Sequence, residues 1–262
     1  MAENSDAVTA VAAELYRAAL ERTPIDSAPA SGLSLDDAYR AQRLLVEHSI
    51  AADDSVAGTK LGFTSKAKMQ QMGVHSPILG LLTEGGRVDD GGSVSLSRYI
   101  HPRIEPEVAF LLDEDLDLAL PAAEQVSRIG AVAPAMEIID SRFTGFSFTL
   151  SSVVADNTSA AGFVVGPWTR FRPGVTLRNL AVRLSVADQT AGIGSTAAIL
   201  GDPLRALPVL LDVARRHGHP LRAGSIVLAG AATAAAPLKP GFAEASVAGL
   251  GRVALTVTGD EA

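Results

Sequence analysis

The run His101-Pro102-Arg103-Ile104-Glu105-Pro106-Glu107-Val108-Ala109-Phe110 sets two glutamates two positions apart inside an apolar stretch. In an extended strand, residues i and i+2 share a face, so both carboxylates project together between apolar neighbours. A second apolar run, from Val132 to Asp140, carries a third glutamate, Glu137. Gathering ionised carboxylates away from water is costly unless protons or a cation neutralise them. A hard divalent ion resolves the conflict, because magnesium takes oxygen ligands in an octahedron and keeps waters that a substrate displaces. The competing reading is a solvated strand face carrying surface acids. For Glu105 and Glu107 alone that reading is the commoner one; Glu137 brings the two level.

The 262 residues suffice for one large domain or a small domain joined to a larger one. Hydrophobic residues make up 47% and charged residues 19%, which describes a chain able to build a sizeable core rather than a disordered one. A net charge of −7 without any basic cluster or aromatic-basic stripe argues against a nucleic-acid partner. The absence of cysteine excludes disulfides, thiolate metal sites and a cysteine nucleophile. The acidic start Met1-Ala2-Glu3-Asn4-Ser5-Asp6 lacks a signal peptide's basic and apolar regions. No stretch approaches the length of a membrane span, so a cytoplasmic location without a membrane partner is expected.

The first fifty residues predict two helices. Asn4 or Ser5 would cap the first, whose apolar positions Val8, Val11, Ala12, Leu15 and Ala19 follow helical spacing. Residues 24–32 read as a small-residue loop, and Ser34 with Asp37 resembles a capping box opening a helix through Tyr39, Leu45 and Ile50. From Val56 the pattern changes to short strands, expected at 56–63, 93–100, 104–112, 132–140, 180–187, 225–229, 243–247 and 252–258. Short helices are expected at 65–72 and 120–128. A later helix has Asp202 as cap, Pro203 in its first turn and Gly218 past its end. Pro208 predicts a kink there or a later true start. Strands in blocks with few helices between them define an α+β chain with mixed sheets, divided into a helical portion over 1–55 and a catalytic domain over 56–262. Neither a P-loop nor a dinucleotide fingerprint is present.

Lys60 sits in Gly58-Thr59-Lys60-Leu61-Gly62, where small neighbours let a ligand or another backbone approach closely. It either sets a fixed charge beside an anionic substrate or lays its stem along a sheet edge with the ammonium in water. Arg142, after Asp140 and Ser141, either clamps a carboxylate bidentately or pairs with Asp140 at the surface. Asp156, Asn157, Thr158 and Ser159 form either an Asx-type turn or a binding loop. His75 and His101 match no zinc spacing and read as structural or supporting groups. No G-x-S-x-G elbow supports a serine hydrolase.

Taken together, several segments resemble the fumarylacetoacetate hydrolase superfamily, in its branch of 2-oxopent-4-enoate hydratases and 4-oxalocrotonate decarboxylases. They include Gly58-Thr59-Lys60-Leu61-Gly62-Phe63-Thr64-Ser65-Lys66-Ala67-Lys68-Met69 with Gln71-Met72-Gly73-Val74, and His101 through Glu107. Met136-Glu137-Ile138-Ile139-Asp140-Ser141-Arg142-Phe143, Val153-Val154-Ala155-Asp156-Asn157, Pro220 through Gly230 and Gly249-Leu250-Gly251-Arg252-Val253 continue it in order. The resemblance implies a mixed β-roll core with an N-terminal helical portion, and homo-oligomeric assembly. It implies a magnesium or manganese site formed by Glu105, Glu107 and Glu137, with Lys60 lining the pocket. Lys60, Glu105 and Glu107 would be catalytic, while Lys60, Arg142, Asp156, Asn157 and Ser159 would bind or orient substrate.

The implied activity is metal-dependent decarboxylation of 2-oxohex-3-enedioate to 2-hydroxypenta-2,4-dienoate. The alternative is hydration of the five-carbon dienoate to 4-hydroxy-2-oxopentanoate. Related hydratases often carry an aspartate at position 79, where this chain has Leu79, and an acidic residue in place of His75. Loss of a proton-transferring carboxylate weakens a water-adding mechanism and leaves decarboxylation untouched. A non-enzymatic alternative is a stabilising partner subunit, since such decarboxylases and hydratases associate as companions. Retention of all four site residues favours activity.

Overall fold

The computed structural model describes residues 2–172, 174–219 and 221–259; Pro220, within one of the matching segments, lies outside the described residues. Two sheets and a layer of helices make up the chain. The larger sheet runs Ile78–Thr83, Val56–Gly62, Ile226–Ala231, Arg103–Leu112, Ile129–Ile139, Ala160–Val165 and Arg87–Val88. The short strands Ala236–Pro237 and Thr169–Arg170 pair with its Arg103–Leu112 and Ile129–Ile139 members. The smaller sheet runs Gln189–Ser195, Ala181–Val186, Gly241–Val247, Gly251–Thr258 and Ser93–Ser95. Parallel and antiparallel pairs occur in both, confirming the mixed α+β expectation.

The pleat divides the large sheet by chemistry. One face carries Lys60, Glu105, Glu107 and Glu137 together with Ala109, Ala133, Ala135, Phe163 and Leu228. The other carries Leu61, Leu79, Val108, Phe110 and Val227, which pack with Leu15, Ala38, Tyr39 and Leu45 of the N-terminal helices. The helical portion therefore shares one core with the sheet. Lys60 Nζ lies 3.0 Å from Glu137 Oε2, although three strand steps separate their strands. Flat strands spaced about 4.8 Å apart would hold them far beyond contact. The sheet must curl, which gives the β-roll its interior.

Several local expectations hold for visible reasons. Ser34 accepts a hydrogen bond from Asp37 N at the start of the Leu35–Ala51 helix. Ser65 caps Lys66–Met72, and Gly73 closes it with a left-handed φ of 64°. Asp202 caps a short 3-10 turn over Pro203–Arg205, and the α-helix proper is Ala206–His217, so Pro208 falls in its first turn where no interior hydrogen bond is lost. Other expectations change. The first helix, Ala2–Glu21, already runs through Asn4 and Ser5, and the 24–32 loop contains a helical turn at Ala28–Ser31. The strand expected over 93–100 stops at Ser95 and becomes a 3-10 turn. Ile78–Thr83, Ala160–Val165 and Gln189–Ser195 are strands that local pattern did not mark.

Candidate active site and metal centre

Arg103–Leu112 pairs antiparallel with Ile129–Ile139, setting Glu105 directly opposite Glu137 and Glu107 opposite Ala135. Directly opposed residues hold their Cβ atoms about 5 Å apart. The i, i+2 pair and the cross-strand partner thus meet at one point, with one oxygen from each carboxylate within 4.8 Å of the others. Glu107 and Glu137 are wholly buried, whereas Glu105 keeps an open side.

The donors around the cluster do not satisfy it. Gly230 N–H donates to Glu107 Oε2 at 2.7 Å, while Glu107 Oε1 and both Glu137 oxygens have no hydrogen bond. Lys60 reaches Glu137 as an ion contact without hydrogen-bond alignment and donates to Thr158 O at 3.2 Å. Burial, reinforced by Glu137 and opposed by Lys60 and Lys68, pushes the Glu105 carboxyl up to about 7. Burial and the neighbouring glutamates also raise Glu107 well above its usual value, and burial raises Glu137 against the pull of Lys60. Burial alone would lower Lys60, but the three carboxylates outweigh it and the ammonium stays charged. Three carboxylates and one ammonium, 3 − 1, leave two formal negative charges. Orphaned, buried, convergent oxygens with that surplus fit an oxygen-seeking divalent cation.

Arg142 and Asp156 form a buried ion pair inside the protein. The Arg142 guanidinium donates through Nε to the Asp156 carboxylate, and through Nη1 and Nη2 to the carbonyls of Asp140, Ala160 and Asp156. Asp156 Oδ2 also accepts from Ser141 Oγ at 3.1 Å and Ser159 Oγ at 3.5 Å. Asp140 is occupied by the backbone N–H groups of Ile100 and His101. Asn157 spends its side-chain amide on Leu81, accepting from its N–H and donating to its carbonyl, each at 2.8 Å. The side chains of Arg142, Asp156 and Asn157 are thus spent on partners inside the protein, and none of them is among the convergent carboxylates. His75 is exposed ahead of Ile78–Thr83, and His101 packs its ring against Phe146 at 4.7 Å.

Leu79 pairs with Leu61 in the strand register and lies on the helix-facing side of the sheet, opposite Lys60. A missing carboxylate at position 79 therefore does not bear directly on the triad face, which corrects the weight that this difference carries in the sequence. Sequence reasoning also missed the Thr158 carbonyl and the Gly230 N–H as groups of the site, because backbone atoms carry no residue signature.

No family model matches the chain. A fumarylpyruvate hydrolase from Pseudomonas aeruginosa, solved with Mn2+ and pyruvate, shares the fold at a TM-score of 0.59 and 14% identity, over 77% of this chain and 89% of that one. The fold is that of the fumarylacetoacetate hydrolase superfamily. A 4-oxalocrotonate decarboxylase of Pseudomonas sp is 44% identical over 229 residues, 87% of this chain and 89% of that protein. A 4-oxalocrotonate decarboxylase from Pseudomonas putida G7, complexed with magnesium and adipate, superposes with a TM-score of 0.90 at 33% identity, covering 97% and 98% of the two chains. A 2-keto-4-pentenoate hydratase of Paraburkholderia xenovorans (strain LB400) is 34% identical over 248 residues, 92% of this chain and 91% of that one. The chain belongs to the family formed by 4-oxalocrotonate decarboxylases and 2-keto-4-pentenoate hydratases.

Proposed function

We propose that the chain catalyses divalent-metal-dependent decarboxylation of 4-oxalocrotonate (2-oxohex-3-enedioate) to carbon dioxide and 2-hydroxypenta-2,4-dienoate. The observation that carries this reading is the Glu105–Glu107–Glu137 cluster with Lys60 against it, in a chain 44% identical to a decarboxylase of that substrate. Magnesium, with manganese as the alternative, held by the three carboxylates supplies a Lewis acid for the charge that develops on the substrate's C2 oxygen.

The chain's own groups do the rest. As the bond to the distal carboxylate breaks, its electron pair passes through the C3–C4 double bond to the C2 oxygen, where one proton ends up. Lys60, charged and held at Thr158 O, places a fixed positive charge beside that developing dienolate. A preorganised charge of this kind contributes about a hundred- to a thousandfold in rate. Ala109, Ala133 and Ala135 floor the same face, which leaves room and keeps water sparse around a leaving carboxylate. Arg142, Asp156, Asn157 and Ser159 orient the pocket from behind. His101, carried on the backbone N–H that Asp140 holds, shapes its approach with Phe146.

Purified protein with magnesium and each of the two dienoic substrates tests the reading. Carbon dioxide release from the six-carbon diacid, with no 4-hydroxy-2-oxopentanoate, is the expected result. Water addition to the five-carbon dienoate would establish the hydratase reading instead, the alternative that the lower, 34% identity to a hydratase keeps in view. Self-association and a companion enzyme belong to the same proposal. Apolar Ile193, four-fifths exposed, and Phe242, 44% exposed, lie on the smaller sheet and offer surface for it; sedimentation at micromolar concentration tests it. No helix among the described residues is long and apolar enough to cross a membrane.

A further inference from the structure

Asn157, Thr158 and Ser159 have φ values of 47°, 54° and 57°, three consecutive non-glycine residues in the left-handed region. Such a run is rare, and a β-branched residue at its centre is a genuine outlier. Strain of this kind persists where surrounding contacts overdetermine it, and it concentrates at functional sites. Here the contacts are explicit. Asn157 uses its side-chain amide to pair with both backbone groups of Leu81 on the sheet's edge strand. Thr158 Oγ1 donates to Leu79 O at 3.0 Å, and Gln42 Nε2, from the N-terminal helical layer, donates to the same carbonyl at 2.8 Å. Asp156 and Arg142 hold the turn from its other side.

The turn lies close against the lysine strand only because glycines make room for it. A Cβ at Gly62 would fall 2.6 Å from Thr158 Cγ2, and one at Gly80 would fall 2.8 Å from Asn157 O and 3.0 Å from Lys60 Cδ. What this packing delivers is a single carbonyl, Thr158 O, 3.2 Å from Lys60 Nζ. An ammonium amid three carboxylates is drawn toward the centre of negative charge, which is where a divalent ion would sit. A carbonyl fixed at its flank holds it aside.

We propose that the left-handed turn Asn157–Ser159 is a positioning device that keeps the Lys60 ammonium beside Glu137 and out of the cation's place, with Thr158 O as its contact and Asn157 as its anchor. The inference rests on the metal-site reading above. Releasing the turn lets the ammonium swing onto Glu105 and Glu107, where it competes with the cation for the same oxygens.

Direct magnesium titration of the metal-free protein by calorimetry tests this without reference to activity. Asn157→Ala should weaken magnesium binding by about tenfold, the scale of a lost hydrogen bond to a charged group. Gly80→Ala, which pushes on the turn through a different contact, should act in the same direction. Lys60→Met should strengthen binding by removing the competitor, and the Lys60→Met/Asn157→Ala double variant should then match Lys60→Met. Unchanged affinity in both Asn157→Ala and Gly80→Ala, or an equal loss from Asn157→Ala in both lysine backgrounds, overturns the positioning role. Failure of the unaltered protein to bind magnesium at all would instead sink the metal site itself.

Discussion

Glu105 stands directly across from Glu137 in the antiparallel register of their two strands, and both face the interior of a curled sheet. Like charges set opposite each other destabilise a strand pair. The arrangement holds charge that the fold itself does not fully neutralise, and Lys60 is the cation in direct contact with it.

Glu107→Gln keeps the shape and the hydrogen bond from Gly230 while removing one charge. Since even supporting residues around a metal cost ten- to a hundredfold in affinity, loss of a ligand carboxylate should weaken magnesium binding by at least about a hundredfold. Turnover should fall with it, while the metal-free protein melts at a higher temperature. Isothermal titration and thermal melts check both halves, and unchanged turnover would remove Glu107 from the metal site.

The pH response of the metal-free protein follows from the raised carboxyl of Glu105. An acid that titrates near 4.5 in the unfolded chain and about 7 when folded binds its proton more tightly in the native state. Its stabilising contribution is complete below about 4.5 and is lost as pH rises through about 7. Glu107 and Glu137 shift in the same direction. Urea midpoints measured from pH 5 to 8 should therefore decline without metal, and saturating magnesium should flatten the decline because the cation favours the ionised carboxylates.

Arg142→Gln leaves the Asp156 carboxylate buried without its cation. Breaking a buried pair from one side costs about 3–5 kcal/mol, so equilibrium denaturation should show a loss of that size. A residual active fraction should retain its KM, because the guanidinium is consumed inside the protein. A large rise in KM with stability intact would reassign Arg142 to the substrate.

Gly230 has a φ of 120°, and a Cβ there would lie 2.2 Å from Thr64 Oγ1. Its N–H is also the one that Glu107 accepts. Gly230→Ala should lower both thermal stability and magnesium affinity. A variant that binds metal normally would show that the backbone at this point is not needed to aim the carboxylate.

The elements easiest to read in the chain were those whose signals are local. Ser34, Ser65 and Asp202 accept hydrogen bonds from nearby backbone N–H groups, so their effect needs no partner from elsewhere. Ile78–Thr83 and Gln189–Ser195 carry glycines and little alternation, and they become strands only because neighbours supply their hydrogen bonds. Arg142 shows the same limit at the site. Its sequence neighbour Asp140 suggested a surface pair, whereas the chain brings Asp156 to it from fourteen residues away.

By itself the sequence determined which acids stand out as a group, because strand periodicity alone puts Glu105 and Glu107 on one face and an acid in an apolar run marks Glu137. Its glycines around Lys60 also announced a close approach, without naming what approaches. Only the tertiary structure decided that the approaching group is the Thr158 backbone, that Leu79 points away from the triad, and that Lys60 reaches Glu137 across three strand steps. Those facts depend on sheet curl and strand register, which arise from contacts between segments far apart in the chain.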